Sequence, residues 1–513
     1  MRRSDFKDLA PLNLEINGVI QPFPDYPAIG KAYAEAAADG RLNVCKWIRL
    51  AAKRYLKMLA LAEKPGNEFY FSSKHIIDYC SFQEKLQHIE SGLWELSQVN
   101  EDGSLNRQII LEPWQIWIEC AVQGFRRSIT GERLVTTVIE LVPRKNAKSL
   151  RVAGAALFDL CCSGQIGPQI CIAASTEKQA NRVFNPVAMF VGNDPDLTEQ
   201  YKIKVTLDRI TTPESGEGGG IFKLSGIGER QDGLNPSLAV FEEGHAGAAG
   251  VYNVVDSAFG ARPNALRRMI TTAGHRPEGP GYELQLEAER ILLGTEHEDF
   301  TFFAALFTLD REDYIDPETN GIDWERLFTD DKLLEKANPM YGIGLDPVAL
   351  KAARESARRR PDKRAEFART RFNVWTSSGL SLIDVTAWAA CKRNIALEDF
   401  IGQRCWIGVD LAQVLDMCAI VLLFELPGDV IAVFAKFFLP EASPTATDPD
   451  LADQLLAWAD ADEGWLTLTP GQLADHDLVR EEVEAFCDVF DVQVIACDPA
   501  QAHNRSSWNC FIW

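Results

Sequence analysis

Apolar and polar positions change rhythm twice along this chain. From Met1 to about Asn100 the pattern is helical and ends in an amphipathic segment around Lys74 to Leu96. Beyond it, short β-rich apolar runs alternate with helix-compatible stretches: a strand at Val138 to Val142, a helix from Lys148 through Leu160, a strand at Gln169 to Ala174 and a helix from Glu177 to Val191. Further strands are predicted at Ile221 to Leu224, Leu238 to Glu242, Arg268 to Thr272 and Phe302 to Leu309. Trp324 to about Arg371 reads as helical and loop-rich, and Thr376 to Leu380 as a linker. The last segment returns to strands at Cys405 to Asp410, Ala419 to Phe424, Val430 to Phe438 and Val492 to Asp498. Buried strands alternating with helices predict an α/β fold: a mainly parallel sheet, helices on both faces, and ligands at the strands' C-terminal ends.

A chain of 513 residues exceeds a single hydrophobic core and predicts about three domains. With 46% hydrophobic and 25% charged residues it is globular. The net charge of −22 excludes a protein that coats nucleic acid by bulk electrostatics, so DNA contacts must come from local basic patches. One such patch is Arg358-Arg359-Arg360 with Lys363-Arg364, for which a solvated helix face is the usual explanation and a phosphate-contacting surface the alternative. Twelve cysteines without a C-x-x-C pair, Cys161 and Cys162 adjacent on a predicted buried helix, are expected to be buried free thiols in a reducing compartment. The seven histidines have no metal-ligand spacing, and no targeting signal or apolar run of about 20 residues is present. These features lead to the expectation of a soluble, intracellular protein without a membrane partner.

The candidate chemistry gathers at strand ends. After the strand at 138–142 comes a polar loop and then Lys148-Ser149 at a helix start, within VPRKNAKS. In a phosphate-binding loop this arrangement aims backbone N–H groups and the helix dipole at a polyphosphate, while Lys neutralises β/γ oxygens and Ser holds Mg²⁺. Val142 and Ala147 stand where G-x-x-x-x-G-K-[ST] has glycines, so a basic loop capping an ordinary helix is the competing reading. The strand at 238–242 ends in Glu242-Glu243, a pair that in a nucleoside triphosphatase divides into a metal-holding acid and one that polarises the attacking water. Ser175-Thr176 and Thr271-Thr272-Ala273 fall at equivalent ends. Gln115, in LEPWQIW, carries an amide able to read an adenine edge, or is a surface residue beside a core Trp. Asp410 and Asp498 end two later strands, as a two-metal phosphodiesterase needs and as ordinary turns also allow.

Taken in order, PWQ at 113–115, VPRKNAKS at 142–149, AVFEEGHA at 239–246, ITTAG at 270–274, GVDLA at 408–412 and ACDPA at 496–500 resemble the large terminase subunit of tailed double-stranded DNA bacteriophages, over roughly residues 45 to 500. The resemblance implies an ASCE-type P-loop ATPase domain with a mainly parallel sheet, followed by an RNase H-like α/β nuclease domain. The expected division is a helical region at 1–100, an ATPase core at 101–300, a lid or linker at 301–380 and the nuclease at 381–513. It implies a loop of Arg144, Lys145, Asn146, Ala147, Lys148 and Ser149 around ATP, with Arg144 sensing the γ-phosphate and Gln115 reading adenine. Lys145 is the alternative to Lys148, and Arg230 to Arg144. Ser149 and Glu242 are implied for Mg²⁺, Glu243 for catalysis, Thr271 to Ala273 for coupling hydrolysis to DNA movement, and Asp410 with Asp498 for nuclease metals, Mg²⁺ or Mn²⁺. Glu242 departs from the family, which commonly has Asp there. The implied partners are double-stranded DNA, portal protein and small terminase subunit. The implied assembly is a monomer in solution, in the host bacterial cytoplasm, that forms a ring when transiently docked on the procapsid. The family's nuclease continues to a third metal-binding Asp, whereas the sequence ends at Trp513, so a truncated nuclease domain that binds metal weakly and cuts DNA poorly or not at all is expected. The competing functions are a helicase-like DNA-dependent ATPase without nuclease activity and a decayed prophage protein that only docks on portal or small subunit.

Overall fold

The computed structural model describes residues 1–497 apart from 17–18, 97, 101, 226–232, 245–248, 275–278, 296–297, 318–320, 377–390, 392, 394, 413–415, 429, 444–454, 456–457 and 460–464. The chain forms two compact units, Met1–Trp388 and Ala389–Trp513.

In the first unit the helices α1 (Tyr26–Ala38), α2 (Lys46–Ala62), α3 (Ser73–Lys85) and α4 (Pro113–Gly124) share one core with the sheet that follows. That sheet holds β1 (Thr137–Leu141), β2 (Gln169–Ala174), β3 (Lys204–Val205), β4 (Arg209–Thr211), β5 (Gly220–Ser225), β6 (Leu238–Glu242), β7 (Leu266–Thr271) and β8 (Phe302–Leu306), in the spatial order β8-β1-β7-β6-β2-β5-β4-β3. The first six in this order are mutually parallel, and β4 and β3 extend the sheet antiparallel. The apolar runs explain the burial of both faces. Along β2, Ile170 and Ile172 enter the main core while Cys171 and Ala173 enter a second cluster with Phe241, Val251 and Val255. Helices α5 (Lys148–Cys162), α6 (Glu177–Asn193), α7 (Ala249–Ser257) and α8 (Pro280–Leu293) connect the strands.

Four fully buried charges tie α5 to its surroundings. Arg268 on β7 donates to Glu140 on β1 (2.7 Å) and to Glu119 on α4 (2.5 Å), and Arg151 on α5 pairs with the same two carboxylates. Two positive and two negative charges cancel, although Arg151 Nε is left without a hydrogen-bond partner, and deleting one member would cost on the order of 3–5 kcal/mol. A smaller apolar cluster from Leu309 to Val374 is built by α9 (Pro347–Arg358), α10 (Pro361–Phe372) and the short helices Trp324–Thr329 and Asp331–Ala337.

In the second unit the sheet order is β12-β11-β10-β9-β13, from β9 (Arg404–Asp410), β10 (Cys418–Leu426), β11 (Val430–Pro440), β12 (Leu466–Thr469) and β13 (Asp491–Cys497). β9, β10 and β11 form an antiparallel meander, and β13 joins β9 in parallel after α11 (His476–Val489).

Several expectations are corrected. The N-terminal region is not wholly helical, since Leu12–Ile16 pairs antiparallel with Val19–Phe23. The segment around Lys74 to Leu96 is α-helical only to Lys85, with a short 3-10 turn at Leu93–Leu96. Past Lys85 the backbone pairs instead with the stretch before α4, Ile109 N–H on Leu86 O and His88 N–H on Arg107 O. Cys162, Cys391 and Cys487 are exposed rather than buried. Arg358 pairs with Glu355 and Glu325, Arg360 with Asp362 and Lys363 with Glu366, which makes the basic run largely a solvated helix face. Of the predicted linker, Ser377 to Leu380 lie outside the described residues. No helix among the described residues is long and apolar enough to cross a membrane.

Candidate active site

The turn between β1 and α5 keeps the backbone of a glycine loop without the glycines. Lys145 (φ 70°) and Ala147 (φ 58°) are both left-handed, a conformation that costs about 1–2 kcal/mol for a residue with a Cβ. Ala147 is the residue before α5 and no side chain caps that helix, so its first N–H groups are left for a ligand. Arg144 and Lys145 are exposed and line a groove of about 1570 Å³ together with Ala147, Lys148, Ser149, Glu242 and Glu243. Half-buried Arg371 and Arg369 stand nearby. Burial first, and Arg144 among the charges that follow, holds both guanidinium pKa values below the usual range. So many cations around a helix N-terminus favour a polyanion.

The buried side chains interlock. Lys148 Nζ donates to Val142 O at 2.8 Å. Burial lowers its pKa, with Glu242 and then Glu243 opposing that shift. Ser149 Oγ donates to Glu242 Oε1 at 3.1 Å, while Glu242 Oε2 is buried without a hydrogen-bond partner. Burial pushes the Glu242 carboxyl upward, and Lys148 counteracts it. An orphaned carboxylate oxygen next to a hydroxyl is the donor set for a hard divalent cation, which would relieve that cost. Glu243, left-handed at φ 55°, donates its N–H to Ile270 O. Its carboxylate accepts from Gln179 Nε2 (3.0 Å) and from Arg182 Nη1, both on α6.

Two expected nucleotide contacts turn elsewhere. Asn146 is fully buried: its Nδ2 donates to Pro143 O (3.1 Å), Arg144 O (3.3 Å) and Asn338 Oδ1 (2.9 Å), and its Oδ1 accepts Met340 N–H (3.0 Å). Such an amide braces the loop and has nothing left for a phosphate. Gln115 is buried on α4, with Oε1 accepting Glu112 N–H at 2.9 Å in a capping box, and it is Glu112 that reaches the groove. Thr271, Thr272 and Ala273 are buried beside the loop, where Thr271 O accepts Val142 N–H and Ala273 N–H donates to Asn373 Oδ1 at 3.2 Å. Arg144 is held through its backbone, N–H to Thr370 O and carbonyl to Arg371 Nη1.

Asn338, Asn373, Gln179 and Arg182 escaped the sequence reading. Only Asn373 carried a signal, as an Asn following a helix where a left-handed residue is common, and its φ is 53°.

In the second unit Asp410 is exposed at the end of β9, in a shallow hollow of about 360 Å³ with Gly408, Ala419, Val421 and Cys497. Asp416 accepts its neighbour Met417 N–H and stays at the surface. Asp498 and Arg230 lie outside the described residues. Among the described residues no three or more His, Cys, Asp or Glu side chains form a group that could hold a metal ion.

A parallel sheet in which β7 separates the phosphate-loop strand β1 from the acid-tipped β6 is the additional-strand form of the P-loop ATPase fold. The antiparallel meander with a further strand, β13, parallel beside its first is RNase H-like. The family model "Terminase large subunit, ATPase domain" matches residues 113–290, and "Terminase large subunit, endonuclease domain" matches residues 321–506. The chain belongs to the terminase large subunit family. It is 29% identical over 285 residues to Protein YmfN of Escherichia coli (strain K12), an alignment covering 54% of this chain and 59% of that relative, less than two thirds of the latter's length. Among solved structures, the HK97 bacteriophage large terminase is 22% identical, with 83% of this chain and 80% of that one covered at a TM-score of 0.43. The large terminase from a thermophilic bacteriophage is 11% identical over 72% of this chain and 78% of that one, with a TM-score of 0.29.

Proposed function

We propose that this chain hydrolyses ATP to move viral double-stranded DNA into a procapsid and cuts concatemeric DNA in a metal-dependent step. The observation that carries the ATPase half is the Ser149–Glu242 hydrogen bond with an orphaned Glu242 oxygen, set beside an uncapped helix N-terminus ringed by cations. Lys148 leaves Val142 O for the β/γ oxygens, and the α5 N–H groups donate to the phosphates. Ser149 and Glu242 would hold Mg²⁺, which would supply neutralising charge for the polyphosphate. Glu243 takes the proton of the attacking water as the γ-phosphorus bond to the bridging oxygen breaks and ADP leaves. Arg144 faces the transferring phosphoryl group, and Thr271 to Ala273 pass the change onward. Asp410 and Asp498 serve the nuclease half as metal-binding acids.

On this reading the protein meets double-stranded DNA, portal protein and small terminase subunit in the host bacterial cytoplasm, and works as a ring docked on the procapsid. ATP turnover by purified protein, measured with procapsids and with free single-stranded DNA, tests the function. Stimulation by procapsids supports it. Stimulation by single-stranded DNA alone would instead mark a helicase-like ATPase, and absence of nucleotide binding a protein that only docks.

A further inference from the structure

The sheet of the second unit is apolar on both faces. On one face Ile407, Ile420, Leu422 and Phe424 pack with Val479, Val483 and Phe486 of α11. The residues between them alternate to the other face, where Val494, Trp406, Leu423 and Val433 stand opposite one another in a row across β13, β9, β10 and β11. The next row on that face is Ala496, Gly408, Val421 and Ala435. Its small side chains leave the hollow of about 360 Å³ beside Asp410. A sheet face that meets water carries polar residues at its outward positions, and neither row contains one. Val433 and Val494 are nevertheless 51% and 41% exposed, and Trp406, Val421 and Leu423 are half-buried. The two rows enter none of the apolar clusters formed by the described residues.

We propose that residues 508–513 of this same chain, Trp-Asn-Cys-Phe-Ile-Trp, dock across these two rows as a strap. The chain leaves the sheet at Cys497, on the strand that carries Val494 and Ala496, and residues 498–513 follow outside the described residues. The strap is apolar at every position but Asn509, whereas residues 498–507 before it are mostly polar or small. Those intervening residues reach up to about 35 Å when extended. The rows span only about 14 Å, three strand spacings. The broad faces of Trp508, Phe511 and Trp513 match the surface of Trp406 and the trough left by the small row. A short tether also holds the strap at an effective concentration on the order of millimolar, above that of any second copy in dilute solution. The inference stands apart from the ATPase and nuclease readings, since it uses neither nucleotide nor metal.

The test is the rate at which N-ethylmaleimide alkylates Cys510 in the folded full chain, read by peptide mass spectrometry, with exposed Cys391 and buried Cys405 as references. Docking should slow Cys510 roughly tenfold or more relative to Cys391. Two double variants then separate face from strap. Val433→Asp with Val494→Asp charges the face at two exposed positions, and Trp508→Ser with Trp513→Ser strips the strap while leaving the face intact. Each should bring Cys510 to within about twofold of Cys391, with Cys405 still protected as evidence that the sheet is folded. If the charged face unfolds and exposes Cys405, the strap variant decides alone. A wild-type Cys510 that reacts as fast as Cys391 overturns the proposal. So does protection that survives in the folded face variant, which would put the strap elsewhere, or protection that fades on dilution, which would give the face to a second copy.

Discussion

β6 and β9 use one device, an apolar strand that delivers an acid at its C-terminal end, in opposite settings. Glu242 and Glu243 are buried, with Ser149, Gln179 and Arg182 on their oxygens, while Asp410 stands exposed in a shallow hollow. The first site is built in advance and holds desolvated charge near Lys148. The second offers a carboxylate that water already solvates. A strand-end acid is thus legible as a pattern, but its energetic state depends on what distant segments place around it.

The largest effects should come from breaking the buried site. Lys148→Ala removes the cation nearest the acids and the loop's charge for phosphate, and ATP turnover should fall on the order of 10³-fold or more in a phosphate-release assay. Glu243→Gln should lose roughly 10²–10⁴-fold in kcat yet still bind ATP, whereas Glu242→Gln should lose the Mg²⁺ dependence of binding. Calorimetry with and without Mg²⁺ separates the two. Next, Asp410→Ala should remove whatever Mn²⁺-dependent plasmid nicking the wild-type chain shows, leave ATP turnover intact and shift stability by no more than about 0.5 kcal/mol, because its side chain is exposed.

A pH experiment sharpens the contrast further. Burial drives the ring pKa of His75 and of His88 down to about 4 in each case, and both belong to the first unit. The unfolded chain protonates them below about pH 6.5. The stability they contribute is therefore present above that pH and is lost as pH falls toward 4. Thermal melts between pH 7 and 4 should show a shallower loss in His88→Gln. The smallest effect is expected at the loop itself: Ala147→Gly relieves a left-handed Cβ and should raise the melting temperature slightly, by at most about 1 kcal/mol of stability, without loss of turnover.

The strands and the loop were legible because β-rich runs stop at polar punctuation and VPRKNAKS marks the start of α5. The roles of Asn146 and Gln115 were not, because an amide that suits a ligand equally suits a backbone group. Asn338 and Met340, which claim Asn146, come from far along the chain. Gln179 and Arg182 carry no local signal beyond their place on the helix at 177–191. Their use depends on where β6 ends in space, and nothing local encodes that.

The hydrogen bonds that lace the phosphate loop to Asn338, Met340, Thr370 and Arg371 bear on where this protein can be cut. All four residues lie within the stretch matched by the endonuclease model at 321–506, yet they belong to the same compact unit as the loop. A fragment ending near residue 300, at the seam that the family matches suggest, would leave the Asn146 amide facing emptied space, at about 1–3 kcal/mol for the unsatisfied group. A fragment that keeps the loop braced must run on past Asn373, so the border between the two family matches along the chain is not the border between two separable pieces.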